Sequence, residues 1–159
     1  MSKGPHYLAE EEPQHIQEKE WVFKPKSFNI TWGSDNRYWR FLGDKEVELV
    51  QVSWVEVKAR INKLKRGKYQ ISFLLSLNNG AFGWRDCPLY IMAKVGTGKF
   101  IRHKIELPEP GKERKLLPPE FVVEVKNDNE SLNFGLYEVW SGKWKGGLVI
   151  HEAEVSRID

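Results

Sequence analysis

Two clusters of rings and polar groups carry most of the chemical potential of this sequence. The first is Ile30-Thr31-Trp32-Gly33-Ser34-Asp35-Asn36-Arg37-Tyr38-Trp39-Arg40-Phe41, where large aromatics flank a turn built from Gly, Ser, Asp and Asn. Tyr38 and Trp39 are adjacent, so a regular strand points them to opposite faces, one of them toward solvent. The second is Glu138-Val139-Trp140-Ser141-Gly142-Lys143-Trp144, a carboxylate, two indoles and a hydroxyl around another turn. Leu132, Phe134, Leu136 and Trp140 share the parity of Glu138, which therefore ends an apolar row. A carboxylate there needs the sheet rim or a donor, because an unpaired buried charge is expensive. Flat rings beside rim carboxylates suit sugars: an indole covers the C–H face of a pyranose, while carboxylates and amides bind its hydroxyls. A second reading competes, in which the tryptophans plug the ends of a sandwich and Glu138 is a surface salt-bridge partner. Composition and spacing leave both open. A core of this size uses two or three tryptophans, and this chain has seven.

Catalytic motifs are missing. There is no Gly-x-x-x-x-Gly-Lys loop, no Gly-x-Ser-x-Gly elbow and no His-Glu-x-x-His. His6 and His15 fall near the N-terminus, and alternation along the strands does not place His103 or His151 with a carboxylate or a thiol. Cys87 is the single cysteine, which excludes an internal disulfide and a Cys-rich zinc site and reads as a small buried filler. The expectation is a protein with no catalysis, no metal and no cofactor.

A third cluster is basic. Lys58, Arg60, Lys63, Lys65, Arg66 and Lys68 run without an acidic residue between them. Cations near aromatics are the footprint of nucleic-acid binding, and a short basic run can also act as a nuclear address. The run straddles a strand and a hairpin tip, however, where lysine also serves as edge protection.

The elements that must position these residues are strands. Val55, Val57, Ala59 and Ile61 alternate with Glu56, Lys58, Arg60 and Asn62, and Tyr69, Ile71, Phe73, Leu75 and Leu77 repeat the pattern beyond a glycine-containing turn at 63–68. Phe28, Ile30 and Trp32 alternate in the same way, and further strands are expected at 89–95, 100–107, 121–126, 132–140 and 148–155. Four prolines in 108–120 mark a loop that no regular element should cross. About eight strands without intervening helices predict an all-β fold, an antiparallel sandwich or barrel.

At 159 residues and 40% hydrophobic content the chain fits one domain with a true core. No apolar window is long enough for a membrane-spanning helix. Lys3 and Lys19 against five glutamates leave residues 1–20 at −3, so the remainder carries +6 of the total +3. The expectation is an acidic flexible tail over 1–20 ahead of a mildly basic domain over 21–159. The start lacks the apolar stretch of a secretory signal, and with the cysteine poverty this points to a reducing, nucleocytoplasmic compartment. The sequons at Asn29 and Asn129 are then not expected to carry glycans.

Three motifs in order carry a resemblance. Ile30-Thr31-Trp32 followed by Tyr38-Trp39, then Gln51-Val52-Ser53-Trp54-Val55-Glu56-Val57, then Tyr137-Glu138-Val139 with Ser141-Gly142-Lys143-Trp144-Lys145-Gly146-Gly147-Leu148-Val149-Ile150, are similar to the Nictaba-related plant lectins of the phloem protein 2 group. Size and acidic start resemble the small cucurbit phloem lectins. The resemblance covers about 21–159. It implies a jelly-roll-like β-sandwich that binds N-acetylglucosamine oligomers, meaning chitin fragments and the chitobiose core of N-glycosylated glycoproteins. It also implies a homodimer made without a signal peptide and found in the cytoplasm, nucleus or phloem sap. The family's sugar-site tryptophans fall on Trp32 and Trp39, its glutamate on Glu138, and its closing tryptophan on Trp144. Its second glutamate has no counterpart, because that stretch reads Ser131-Leu132-Asn133. The resulting expectation is a shallow platform of Trp32, Tyr38 or Trp39, with Glu138 and Asn36, Asn133 or Ser141 holding the acetamido group and hydroxyls, and Trp144 beside them. The alternative is an RNA-binding phloem protein that uses the basic hairpin 58–68.

Overall fold

The computed structural model describes residues 4–159. In chain order the strands are β1 (Gln14–Ile16), β2 (Glu20–Phe23), β3 (Asn29–Ile30), β4 (Trp39–Leu42), β5 (Glu46–Leu49), β6 (Val55–Leu64) and β7 (Gly67–Phe82). They continue as β8 (Tyr90–Val95), β9 (Ile101–Lys104), β10 (Lys115–Leu117), β11 (Val122–Val125), β12 (Glu130–Glu138) and β13 (Gly146–Arg157). Among the described residues there is no α-helix, only a 3-10 turn at Pro25–Ser27, so no helix is long and apolar enough to cross a membrane.

All strand pairs are antiparallel and form two sheets. The smaller has the order β3-β6-β12-β8-β9. The larger is organised by β13, which pairs with β7 along one edge and with β2 and β5 along the other; β1 extends β2, β4 extends β5, and β10 and β11 extend β7. The expected antiparallel sandwich is the fold observed.

Alternation decides which residues meet between the sheets. Val55, Val57, Ala59 and Ile61 of β6 and Leu132, Phe134 and Leu136 of β12 face Tyr69, Ile71, Phe73, Leu75 and Leu77 of β7, and all are buried. Phe134 sits edge-on to Phe23 and Phe73 at centroid distances of 5.2 and 5.8 Å, which locks the two layers through aromatic contacts. Gly135, in the middle of β12, is the residue that fits there, because a side chain would run into the Val57 carbonyl.

Four expectations need correction. Residues 4–20 are not a tail ahead of the fold. Tyr7 is buried and exchanges two 2.8 Å backbone hydrogen bonds with Ile30, and residues 14–16 pair with β2. Segment 108–120 does contain a strand, β10, which pairs with residues 73–75 of β7. The expected strand 100–107 shrinks to Ile101–Lys104, and the one through Trp32 stops at Ile30. Trp32 itself turns to φ +64, a left-handed conformation unusual for an aromatic residue, which ends the strand and swings the indole outward.

Two register shifts interrupt β13 against β7, one at 146–148 and one at 150–152. Ile150 pairs with Leu75 and Glu152 with Leu74, so His151 is the extra residue of a β-bulge. Ile150 and Ala153 are both buried as a result, while His151 and Glu152 point together to the outer face of the larger sheet.

Candidate functional site

Three segments meet at one edge of the sandwich. Trp32 and Tyr38 come from the turn between β3 and β4, Ser53 and Trp54 from the approach to β6, and Trp144 from the turn between β12 and β13. With Val52 they line an open recess of about 150 Å³. Trp32, Trp54 and Trp144 are 40%, 44% and 54% exposed. Burial normally stabilises such rings by a few kcal/mol, so three indoles left in water around one hollow are a costly exposed apolar surface.

Backbone bridges hold the walls together. Val52 and Lys145 exchange hydrogen bonds at 3.0 and 2.9 Å, which sets Ser53-Trp54 beside Trp144. The Trp32 amide donates to His6 Nδ1 at 3.0 Å, and the His6 ring lies edge-on against the indole. Tyr38 meets Trp32 edge-on at 5.8 Å, with the Arg37 guanidinium over its ring. Asp35 fixes Arg37 through paired hydrogen bonds, and those bonds lower the aspartate pKa to about 2.

Glu56 supplies a polar edge. Its Oε1 accepts from Thr31 Oγ1 at 2.8 Å and from the Trp54 indole N–H at 3.1 Å. Burial pushes its pKa up, but the hydrogen bonds from Thr31 and Trp54 and the nearby Lys58 outweigh this and hold it below the ordinary range. It is thus an ionised acceptor at neutral pH, with Oε2 free of any bond to Thr31 or Trp54. Neither Trp54 nor Glu56 was expected in the site. The signal was present: both share the outward parity of Lys58 and Arg60.

Glu138 occupies a different place from the one expected. It is 2% exposed and cannot touch a sugar directly. Lys145, fully buried, lies 2.7 Å from its Oε1, and the Ser141 hydroxyl donates to the same oxygen at 2.7 Å. Burial raises the carboxyl pKa, but the bonds from Lys145 and Ser141 overcome this and bring it below the usual carboxylate range. Lys145 Nζ also donates to the carbonyls of Ser53 and Lys143, at 3.2 and 2.6 Å. The buried pair therefore ties together the Trp54 and the Trp144 segments.

The remaining candidates separate. Trp39 is wholly buried, paired with Leu49 between β4 and β5, and its indole N–H has no partner. It is a core residue, because the strand's parity turns it inward and leaves Tyr38 facing the recess. Ser141 is tied to Glu138, Cys87 and the Lys143 amide. Asn36 is exposed in the Trp32–Tyr38 turn without lining the recess. Asn133 lies elsewhere, on the outer face of the smaller sheet between Arg60 and Lys94.

The basic run is also divided. Lys58 and Arg60 project from the smaller sheet, Lys68 belongs to β7, and Lys63, Lys65 and Arg66 surround the hairpin tip. The tip is held by Asp128, which accepts from the Arg66 amide at 2.8 Å, and the Tyr69 ring beside it, whose hydroxyl donates to the Lys65 carbonyl, is buried. His151, expected to lack a carboxylate, has one: its Nδ1 is 3.0 Å from Glu46 Oε2. Among the described residues no group of three or more His, Cys, Asp or Glu could hold a metal ion.

The chain is 36% identical to Protein PHLOEM PROTEIN 2-LIKE A9 of Arabidopsis thaliana, over 98% of both chains. It is 32% identical to a lectin of Luffa acutangula over 49% of this chain and 42% of that one. Among solved structures, the GH26-CBM35 β-(1,4)-mannanase of Podospora anserina aligns with a TM-score of 0.50 at 9% identity, over 90% of this chain and 28% of that chain. An isomaltodextranase of Arthrobacter globiformis, complexed with panose, aligns with the same score and identity over 87% and 23%. At such identities these structures speak to the chain path alone. Residues 18–156 match Phloem protein 2, and the chain belongs to that family.

Proposed function

We propose that the recess of Trp32, Tyr38, Trp54 and Trp144 binds carbohydrate without transforming it, and that its ligands are N-acetylglucosamine oligomers. The observation that carries this reading is three half-exposed indoles around one open hollow, one of which, Trp54, donates its N–H to the ionised carboxylate of Glu56. Indole faces cover the apolar side of a pyranose, and Glu56 with the Ser53 backbone accepts from hydroxyl or acetamido N–H groups. Family membership and the lectin relative support the same class.

The recess suits one ring, with the exposed Trp144 positioned to cover a second. Trimer should therefore bind more tightly than monosaccharide. If two copies associate, a chitin chain or a glycoprotein engages two sites, and avidity can add about 10² or more. Titration with chitotriose and with N-acetylglucosamine, followed by tryptophan emission, tests this. Saturable binding that favours the trimer and disappears in Trp144→Ala is expected, and a flat response from folded protein would overturn it.

A second reading concerns the outer face of the smaller sheet. Arg102 lies over the rings of Tyr90 and of the exposed Trp140, at 4.8 and 5.8 Å, and Lys58, Arg60, Lys94 and Lys104 project from the same face. Cations interleaved with rings fit single-stranded RNA better here than at the hairpin tip. Salt separates the two readings: RNA binding should collapse between low and moderate ionic strength, and binding of uncharged sugar should barely move.

A further inference from the structure

The outer face of the larger sheet carries a cluster that sugar binding does not use. Ser76 Oγ lies 2.9 Å from His151 Nε2, and His151 Nδ1 lies 3.0 Å from Glu46 Oε2. The three residues come from the adjacent strands β7, β13 and β5. They meet on the outer face because His151 follows the buried Ile150, which pairs with Val47, so the imidazole and Glu46 fall on the same side; the bulge then turns Glu152 to that face as well.

We propose that Ser76, His151 and Glu46 form a nucleophile, base and carboxylate relay capable of acyl transfer from small carboxylic esters. Glu46 accepts only, so it fixes the imidazole proton on Nδ1 and leaves the Nε2 lone pair toward Ser76. The His151 side chain is 12% exposed. That burial lowers its pKa against the opposing pull of Glu46, with Arg114 adding to the lowering, so the ring is neutral and basic at pH 7. The neighbouring Glu48 is engaged by Arg40 and Asn78, and Glu152 by Lys24, which leaves Glu46 as the carboxylate that orients the ring.

The reaction balances without a cofactor. Ser76 Oγ bonds to the ester carbonyl carbon while its proton passes to His151 Nε2. The ester C–O bond then breaks, and the imidazolium returns the proton to the departing alkoxide oxygen. Water, deprotonated by the same nitrogen, releases the carboxylic acid and restores the hydroxyl. Leu74 and its β10 partner Leu116 lie on the same open face as the serine and offer apolar surface to an acyl group.

The experiment uses the full chain with p-nitrophenyl acetate, together with Ser76→Ala, His151→Gln and Glu46→Gln. We expect an acetyl adduct on Ser76 by peptide mass mapping and nitrophenolate release that drops by about 100-fold in His151→Gln. Ser76→Ala should abolish the adduct while chitotriose binding is unchanged, so this proposal and the sugar reading fail separately. Absence of acetyl-Ser76, or equal rates in the parent and His151→Gln, would overturn it. Should His151→Gln not fold, a fluorophosphonate probe gives the second readout. Labelling of Ser76 in native but not in urea-unfolded protein supports the relay, and equal or absent labelling contradicts it.

Discussion

Glu138 and Lys145 form an ion pair of 2.7 Å with 2% and 0% of their side chains exposed, directly behind the two most exposed indoles of the recess. The lysine connects the carboxylate to the Ser53 carbonyl and so to Trp54, while its own backbone precedes β13 and follows Trp144. A buried pair of this kind costs desolvation on both sides and persists because each partner is satisfied by further hydrogen bonds.

Breaking the pair should therefore destabilise the fold as well as the site. Lys145→Met leaves Glu138 uncompensated and should cost about 3–5 kcal/mol in urea unfolding, whereas replacing both residues with apolar groups should cost less. Glu138 has a folded pKa below its unfolded value. Its stabilisation is thus fully present above the unfolded carboxylate pKa and is lost as pH falls through the lower folded value. Stability measured from pH 6 downward should drop more steeply in the parent than in Glu138→Gln.

The tryptophans divide into two classes. Trp54→Ala and Trp144→Ala remove exposed rings and should abolish chitotriose binding while shifting Tm little. Trp39→Ala empties a fully buried position and should cost about 3–5 kcal/mol of stability. Thermal unfolding and calorimetric titration on the same three variants distinguish the classes.

Glu56→Gln keeps the shape of the rim but removes its charge. Hydrogen bonds to a charged group contribute about 1.5–3 kcal/mol, so chitotriose affinity should fall by about 10-fold or more. Unfolding should change little, because the residue is only partly buried.

Removal of residues 1–13 should not be silent. It deletes the buried Tyr7, its backbone bonds to Ile30, and the His6 acceptor of the Trp32 amide. A loss of about 2–5 kcal/mol in stability is expected, together with weaker sugar binding, measured by urea unfolding and titration. An inert tail would leave both unchanged.

How far the sequence alone reaches depends on distance along the chain. The alternation over residues 55–61 and 69–77 reads directly into β6 and β7, because each strand has one buried face and period two survives intact. The parity argument at Tyr38 and Trp39 also holds, since one ring faces inward and the other outward. Which of the two is outward depends on the pairing of β4 with β5, a register no local pattern gives. Trp54 was legible as an outward residue in step with Glu56. The Glu138–Lys145 pair was not, because it closes across a turn and strand parity says nothing about such partners. The His151–Glu46 contact was not legible either, because it depends on the pairing of β13 with β5, a register no local pattern gives.

The most direct measurement follows the seven indole N–H resonances in a nitrogen-15 correlation spectrum during addition of chitotriose. Shifts concentrated on Trp32, Trp54 and Trp144, with the buried Trp39 signal unmoved, are the predicted result. A spectrum in which none of those three responds while the protein stays folded, or in which Trp140 alone moves, would contradict a sugar site at this recess.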